Sequence, residues 1–447
     1  MAGKARKVFI RILVVLAGVV TGLCLVRAVF NYTTGKALEK YLARAKADGV
    51  PLRMEDIAPR CPDSDNGARP WKAAEAVLIP PGEKERKLVT DAINGLIEGK
   101  RPDQASMKTL RPLCDKNRRV FELMAEAAAK PCFKYGDWTK GPWSVETIKA
   151  VKALQAVRLL CIDAMLRADD GHIEEALQEC RNGRRFVLRL MDEPLLINNL
   201  VALGEMKMLV SCLEEIASGR ELDEATLSAW LKEMEPVPWR RKFVRWIPVE
   251  RAVGLDWGLM AVGGGRGDLS YALAVLGAEK PIERLFYWLI RPVLKSQVIW
   301  VHERYRELDG RVDVPYYKQA EFLDWVRRAP WYYRVANVLL PDFRSVFLKE
   351  ASLEALMLAT QAGLACKIYK VQNGRYPASL EALVPGILTE VPLDPFTGKP
   401  LVFRVKDGEL LIYSLGSNQR DDGGRSSLIT QLVMDKDDDW AWREKTK

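Results

Sequence analysis

Gly374-Arg375-Tyr376-Pro377, then Val391-Pro392-Leu393-Asp394-Pro395-Phe396-Thr397-Gly398-Lys399-Pro400, then Tyr413-Ser414-Leu415-Gly416-Ser417-Asn418 and Asp421-Asp422-Gly423-Gly424 form a succession of stops and turns. Upstream, Leu353, Leu356, Thr360, Leu364 and Ile368 make one apolar stripe, which predicts a helix over 347–372. Asn373-Gly374 supplies the residues favoured for a left-handed helix end. Pro377, Pro385, Pro392, Pro395 and Pro400 then hold the chain extended between short turns. Asp394 begins one such turn and is suited to accept from nearby backbone amides. Alternation over 401–405 and 409–413, with Asp407-Gly408 between, predicts a β-hairpin. The order is a long helix followed by an antiparallel sheet.

This series resembles the C-terminal part of the major pseudopilin of type II secretion systems. The resemblance covers about 75 residues, 374–447, or about 100 with the helix. It implies a small extracytoplasmic module that holds calcium in the loop after the Tyr-Ser-x-Gly strand. Carried across, Leu415 would offer its carbonyl, and Asn418 stands where the family has Asp. One of Asp437, Asp438 or Asp439, just before Trp440, would close the site, with Asp421 and Asp422 as further candidates. The donor types suit Ca²⁺, which takes six to eight oxygens. The alternative is an Asx-rich turn with a solvated acidic tail. The segment 425–434 is not pilin-like, and no Gly-Phe-Thr-Leu-Ile-Glu prepilin start precedes the apolar N-terminus, so the likeness is confined to one end.

That N-terminus is an anchor. Residues 8–30 are apolar apart from Arg11, Arg27 and a few small residues. With both arginines reaching the headgroups, the run is long enough to cross a bilayer. Basic residues ahead of it predict an inside N-terminus and an outside remainder. This places the protein as a single-pass inner-membrane protein with a periplasmic bulk. The rival, a cleaved signal peptide, has only the poor site Leu25-Val26-Arg27-Ala28-Val29. Lys4, Arg6, Lys7, Arg11 and Arg27 also account for +5 of the net charge of +9, leaving +4 over 417 residues. That balance argues against a nucleic-acid partner.

Between the ends the patterns are helical. Helices are expected at 34–49, 85–98, 114–129, from Ser144 as N-cap to 168, from Ile173, over 195–217, and after Asp223 as N-cap. Residues 50–70 and 130–143 read as loops. Asp169-Asp170-Gly171 joins two helices into a hairpin resembling a tetratricopeptide unit, with Ala164, Gly171, Ala176 and Gly183 at its small-residue positions. The unit's Trp and Tyr positions are unmatched and no second copy follows, so an ordinary hairpin is equally consistent. Asp192-Glu193-Pro194-Leu195 and Glu250-Arg251-Ala252 resemble sequences in anchored extracytoplasmic proteins of planctomycete-like bacteria, a group without an established role. Eight cysteines contain no Cys-x-x-Cys pair, which excludes zinc-ribbon and thioredoxin-type sites. Cys61, Cys114 and Cys132 lie in irregular sequence, and two of the three can bridge in an oxidising compartment.

Residues 236–347 hold seven of the thirteen tryptophans: Trp239, Trp246, Trp257, Trp288, Trp300, Trp325 and Trp331. An aromatic core is the simpler reading, and a membrane-lying surface the alternative. Catalytic signals are thin. His302-Glu303 starts like a zincin helix, but Arg306 replaces the second histidine; His172 sits at a hairpin turn. Gly263-Gly264-Gly265-Arg266-Gly267 lacks the Lys-Ser/Thr of a phosphate loop, and the pairs Glu174-Glu175 and Glu214-Glu215 read as exposed. The expected fold is mainly α, in three parts: anchor 1–30, helical extracytoplasmic domain 31–345, and α+β pseudopilin-like module 346–447. The expected role is a non-enzymatic scaffold or interaction protein with protein partners. The alternative is a membrane-bound hydrolase of lipid or cell-wall material, which requires Glu250, Arg251, His302 and Glu303 to meet in one pocket.

Overall fold

The computed structural model of the chain describes residues 2–100, 102–140, 149–218, 220–234, 241–262, 280–326, 328–330, 333, 336, 340–406, 408–424 and 440–443. Ser144, Trp239, the glycine run 263–267, Trp331, the segment 425–434 and Asp437–Asp439 lie outside the described residues.

With no proline before Pro51, the apolar run 8–30 and the segment that follows it are one continuous helix, α1, Ala2–Ala47. It ends at Gly49, whose φ of +70° carries the chain out of the helix. Its apolar part is open: Phe9, Val14, Leu16, Val20, Leu23 and Val26 are all exposed. It is long and apolar enough to span a membrane. The helix Leu196–Ala217 passes the same length and hydropathy test but is largely buried, as a core helix is.

The helical body follows as α2 (Ala68–Val77), α3 (Glu83–Ile97), α4 (Gln104–Lys116), α5 (Arg118–Ala129), α6 (Ala150–Asp169), α7 (Ile173–Leu190), α8 (Leu196–Ala217) and α9 (Glu224–Glu233). Asp103 and Asp223 cap α4 and α9 by accepting from Ser106 and Thr226 amides, each at 2.8 Å. The expected single helix over 114–129 is broken at Asn117. That fully buried amide accepts from the Ile79 amide (2.9 Å) and donates to the Ile79 and Leu113 carbonyls (3.0 and 2.9 Å), in competition with helical bonding. Helix α2 begins inside the expected loop and runs beyond it; its Trp71 is wholly buried against Phe186. Of the three candidate cysteines, Cys61 and Cys132 form the disulfide, and Cys114 is a buried thiol on α4. The α6–α7 hairpin turns at Gly171 (φ +92°), with Ala164 and Ala176 buried. At Gly183 a Cβ would stand 2.8 Å from Leu209 of α8, so glycine sets that close crossing.

Next come α10 (Trp246–Ala261), α11 (Pro281–Asp309), α12 (Tyr316–Val326) and α13 (Phe343–Asn373). α11 packs on both α10 and α1, around Leu38, Leu255, Leu294 and Val298. The tryptophans divide: Trp246 and Trp257 are core, whereas Trp288 and Trp325 are 39% and 47% exposed. α13 ends as expected at Gly374, in the left-handed conformation at φ +73°. It is buried on every side rather than along one stripe, by α8, α9, α12 and the sheet.

The sheet is antiparallel in the order β1 (Val402–Lys406), β2 (Glu409–Ser414), β3 (Trp440–Arg443). The hairpin was expected and β3 was not. Trp442 of β3 covers Gly363 of α13 so closely that a Cβ there would meet the indole at 2.3 Å. Module and helical body share one core, which runs from Ala68 to Trp442. Polar contacts reinforce the joint. Lys367 Nζ donates to the carbonyls of Ala217 (2.9 Å) and Arg220 (3.1 Å), and Arg443 N donates to Glu214 Oε1 (2.8 Å). Glu214 and Glu215, expected at the surface, are therefore buried. Gly363→Ala is expected to displace Trp442 at a loss of about 1–3 kcal/mol, seen as an earlier thermal transition with red-shifted tryptophan emission; an unaltered melt would argue against this packing.

Candidate functional site

The C-terminal loop is built around Asp394, which is 2% exposed. Its carboxylate accepts from the Phe396 amide (2.9 Å), the Ser414 hydroxyl (2.9 Å) and the Leu415 amide (3.0 Å). Ser414 Oγ in turn accepts from the Gly416 amide at 3.0 Å. The Asp-Pro-Phe-Thr-Gly turn is thus fastened to the end of β2, and this explains why those two motifs occur together in the sequence.

The described calcium candidates share the next turn. Asp421 accepts from the Tyr413 hydroxyl (2.7 Å), Arg404 (2.6 Å) and the Gly423 amide (3.0 Å). The Tyr413 hydroxyl foremost, then the Gly423 amide and Arg404, hold its carboxyl below the usual range. Asn418 donates through Nδ2 to Asp422 (2.8 Å) and accepts at Oδ1 from the Arg420 amide (2.8 Å). Leu415 gives its amide to Asp394. Among the described residues no group of three or more acidic, His or Cys side chains gathers. Calcium prefers a cage of free oxygens, whereas Asp421 already has a guanidinium and Asn418 turns an N–H toward Asp422. The described members of this set therefore do not fit a calcium site by themselves.

The second candidate region lies where α1 meets α11. The two helices run in the same direction. Arg27 sits at Trp288, Lys295 Nζ donates to the Asn31 carbonyl (3.2 Å), and His302 sits at Tyr41. Pro292 lies inside α11 and has no N–H for the carbonyl four residues back, that of Trp288. Arg27 Nε donates to that carbonyl at 2.9 Å, and its guanidinium lies 3.4 Å from the centre of the Trp288 ring. Beside this lock Leu285, Trp288 and Leu289 are exposed, flanking the apolar part of α1.

Higher along the seam, the Tyr41 hydroxyl is 2.7 Å from His302 Nδ1. Burial, with a hydrogen bond to Glu303, raises the Tyr41 pKa. Burial, with the positive charges of Arg251 and Arg306, pushes His302 down to about 4 and keeps it neutral. His302 Nε2 is buried without a hydrogen-bond partner. Arg251 pairs with Asp309 at 2.7 Å. Glu250 instead accepts from the Leu196 amide at 3.2 Å. The hydrolase set thus separates: Arg251, His302 and Glu303 share the neighbourhood of Tyr41, and Glu250 faces α8. His172 is exposed at its hairpin turn.

Several buried polar groups had no signal in the sequence. Glu193, fully buried, accepts from the amides of Tyr135 (3.3 Å) and Gly136 (3.0 Å) and from Trp138 Nε1 (2.8 Å), so the Asp192-Glu193 motif pins the loop after the disulfide. Asp192 takes Lys242 at 2.6 Å. Arg118 and Arg167 bracket Asp163 and Glu179 between α5, α6 and α7. Burial opposes ionisation of Asp163, but bonds from Arg118 and Arg167 prevail and lower its pKa; burial and the Asp163 charge push Glu179 up to about 8. These networks join helices and open onto none of the cavities described below.

Comparison with protein-family models, curated proteins and solved structures returned no match to this chain.

Two outcomes are expected. His302 has a folded pKa below its unfolded value, so its contribution is complete above pH 6.5 and is lost as pH falls toward about 4. Relative to His302→Gln, the wild type should lose at most about 3 kcal/mol over that range; a pH-independent difference in denaturant midpoint would refute a buried neutral imidazole. For the loop, melts of the full chain in calcium and in chelator should coincide. A calcium-dependent rise that Asp437→Asn, Asp438→Asn or Asp439→Asn removes would show that those residues complete a cage.

Proposed function

We propose that the protein is a membrane-anchored extracytoplasmic scaffold or interaction protein, whose pseudopilin-like C-terminal module serves as a structural unit or protein-docking element. The observation that carries this reading is the seam between α1 and α11. The anchor continues unbroken into the body and is locked to it at Arg27, Trp288 and Pro292. A protein built this way holds a rigid body at the bilayer. The Cys61–Cys132 disulfide supports an oxidising location for that body, and Lys4, Arg6 and Lys7 support an inside N-terminus. Exposed Leu285, Trp288 and Leu289 beside the apolar part of α1 support contact with the membrane interface. No observation favours the hydrolase reading, since Glu250 parts from His302.

In cells the Cys61–Cys132 bridge should be present, and in spheroplasts the chain after residue 30 should be open to added protease. A reduced, protected chain would reverse the orientation. Full-length protein extracted in mild detergent should retain protein partners at fixed stoichiometry and turn over neither phospholipid nor peptidoglycan. Turnover abolished by His302→Ala would establish the hydrolase reading in its place.

A further inference from the structure

Two cavities meet along one face of α6. The larger, about 290 Å³, lies between α3, α6, α8, α13 and Trp440 of β3. The smaller, about 170 Å³, lies between α3 and α6, near Pro81 and Arg86. Leu154 and Arg158 line both, so the two spaces adjoin. The larger approaches the lower end of the range usual for small-molecule sites.

Their walls combine two chemistries. Ile93, Ile97, Leu203, Met208, Leu353 and Trp440 supply an apolar surface to the larger cavity. Arg158, Lys207 and Lys349 also line it, and Arg86 lines the smaller one. Among the described residues lining either cavity there is no Asp or Glu. Four cations therefore face this apolar space. Lys207 Nζ lies 3.8 Å from the centre of the Trp440 ring.

Two lining residues also carry unmet donors. Arg158 Nε and Trp440 Nε1 are buried and have no hydrogen-bond partner. Arg158 makes no ion pair among the described residues, and burial lowers its pKa. A buried donor left unpaired is destabilising, and so is a half-buried cation without a counter-charge. A free inorganic anion would leave the apolar walls unfilled. A neutral hydrocarbon would leave Arg158 and Trp440 unmet. An apolar chain ending in an oxyanion answers both deficits.

We propose that these adjoining cavities bind a single-chain amphiphile with an oxyanion head. Arg158, Lys207 and Lys349 receive the head, and the chain lies against Ile93, Leu203 and Trp440. Carboxylate and phosphate-monoester heads share this chemistry, and competition separates them.

The test uses full-length protein in its native membrane with a diazirine-bearing fatty acid, photolysis and mass-spectrometric mapping. Cross-links are expected on peptides containing Leu200–Met208, Leu353 or Trp440. Excess decanoate or decyl phosphate should suppress them, the stronger competitor naming the head, and decanol should not. Arg158→Leu should reduce labelling at these peptides at least about tenfold, equivalent to about 1.4 kcal/mol, and Leu203→Trp should block it by filling the space. Each variant is checked for an unchanged melt; should Arg158→Leu fail to fold, Lys349→Met replaces it with the same expectation. Labelling confined to 9–26 of α1, competition by decanol equal to that by decanoate, or labelling untouched by these substitutions would overturn the proposal.

Discussion

The contact of Trp442 with Gly363 is the closest glycine contact among the described residues, in a helix, α13, that exposes no residue over 346–368. Its faces are taken by α8, α9, α12 and the sheet. Only a residue without a Cβ admits the indole at that point, so β3 can close over α13 in one place. Once closed, the strand delivers Arg443 N to Glu214, and the other flank of α13 delivers Lys367 to the last carbonyls of α8. The terminal module is thereby made part of the helical core. Polar backbone groups that would otherwise be buried unpaired are satisfied from 147 residues or more away, at modest energy per bond but high cost if left unmet.

What could be read from sequence alone was whatever depends on near neighbours. Asn373-Gly374 stops a helix because of its own backbone preference, Asp223 caps one because its acceptor is three residues away, and residues 8–30 form an apolar helix by composition. The Asp394 turn belongs to the same class, although its strongest acceptor role, toward Ser414 and Leu415, spans twenty residues. The third strand was hidden because Trp440-Ala441-Trp442 has no alternation long enough to register and pairs with β2 across a large sequence gap. Asn117 breaks a helix only because Ile79 offers it a better arrangement of partners. Glu214 and Glu215 look like surface residues until a distant strand covers them. The cations around the larger cavity come from three helices and looked like ordinary surface charge in each.

The polar interior shows how the body tolerates so many buried charges. Asp163 sits between two guanidiniums whose bonds hold its carboxyl below the usual range, whereas at Glu193 burial outweighs three donors and raises it. Glu205, by contrast, is fully buried without a partner, and burial pushes it up to about 8. It is carried as the neutral acid at the centre of α8. The difference lies in the partners at hand: Glu193 receives two loop amides and an indole N–H, and Glu205 receives none.

The unbroken α1 has a mechanical meaning. At 46 residues and 1.5 Å per residue it is about 69 Å long, more than twice the bilayer's hydrocarbon thickness. A linker of flexible chain would let the body wander over the membrane. In the membrane-anchored arrangement proposed above, a single helix clamped by Arg27 and again near Tyr41 would behave as a mast. The altitude of the body would then be set by how deeply the mast is stepped, and a change in bilayer thickness or tilt would become a change in the height and azimuth of everything the body carries.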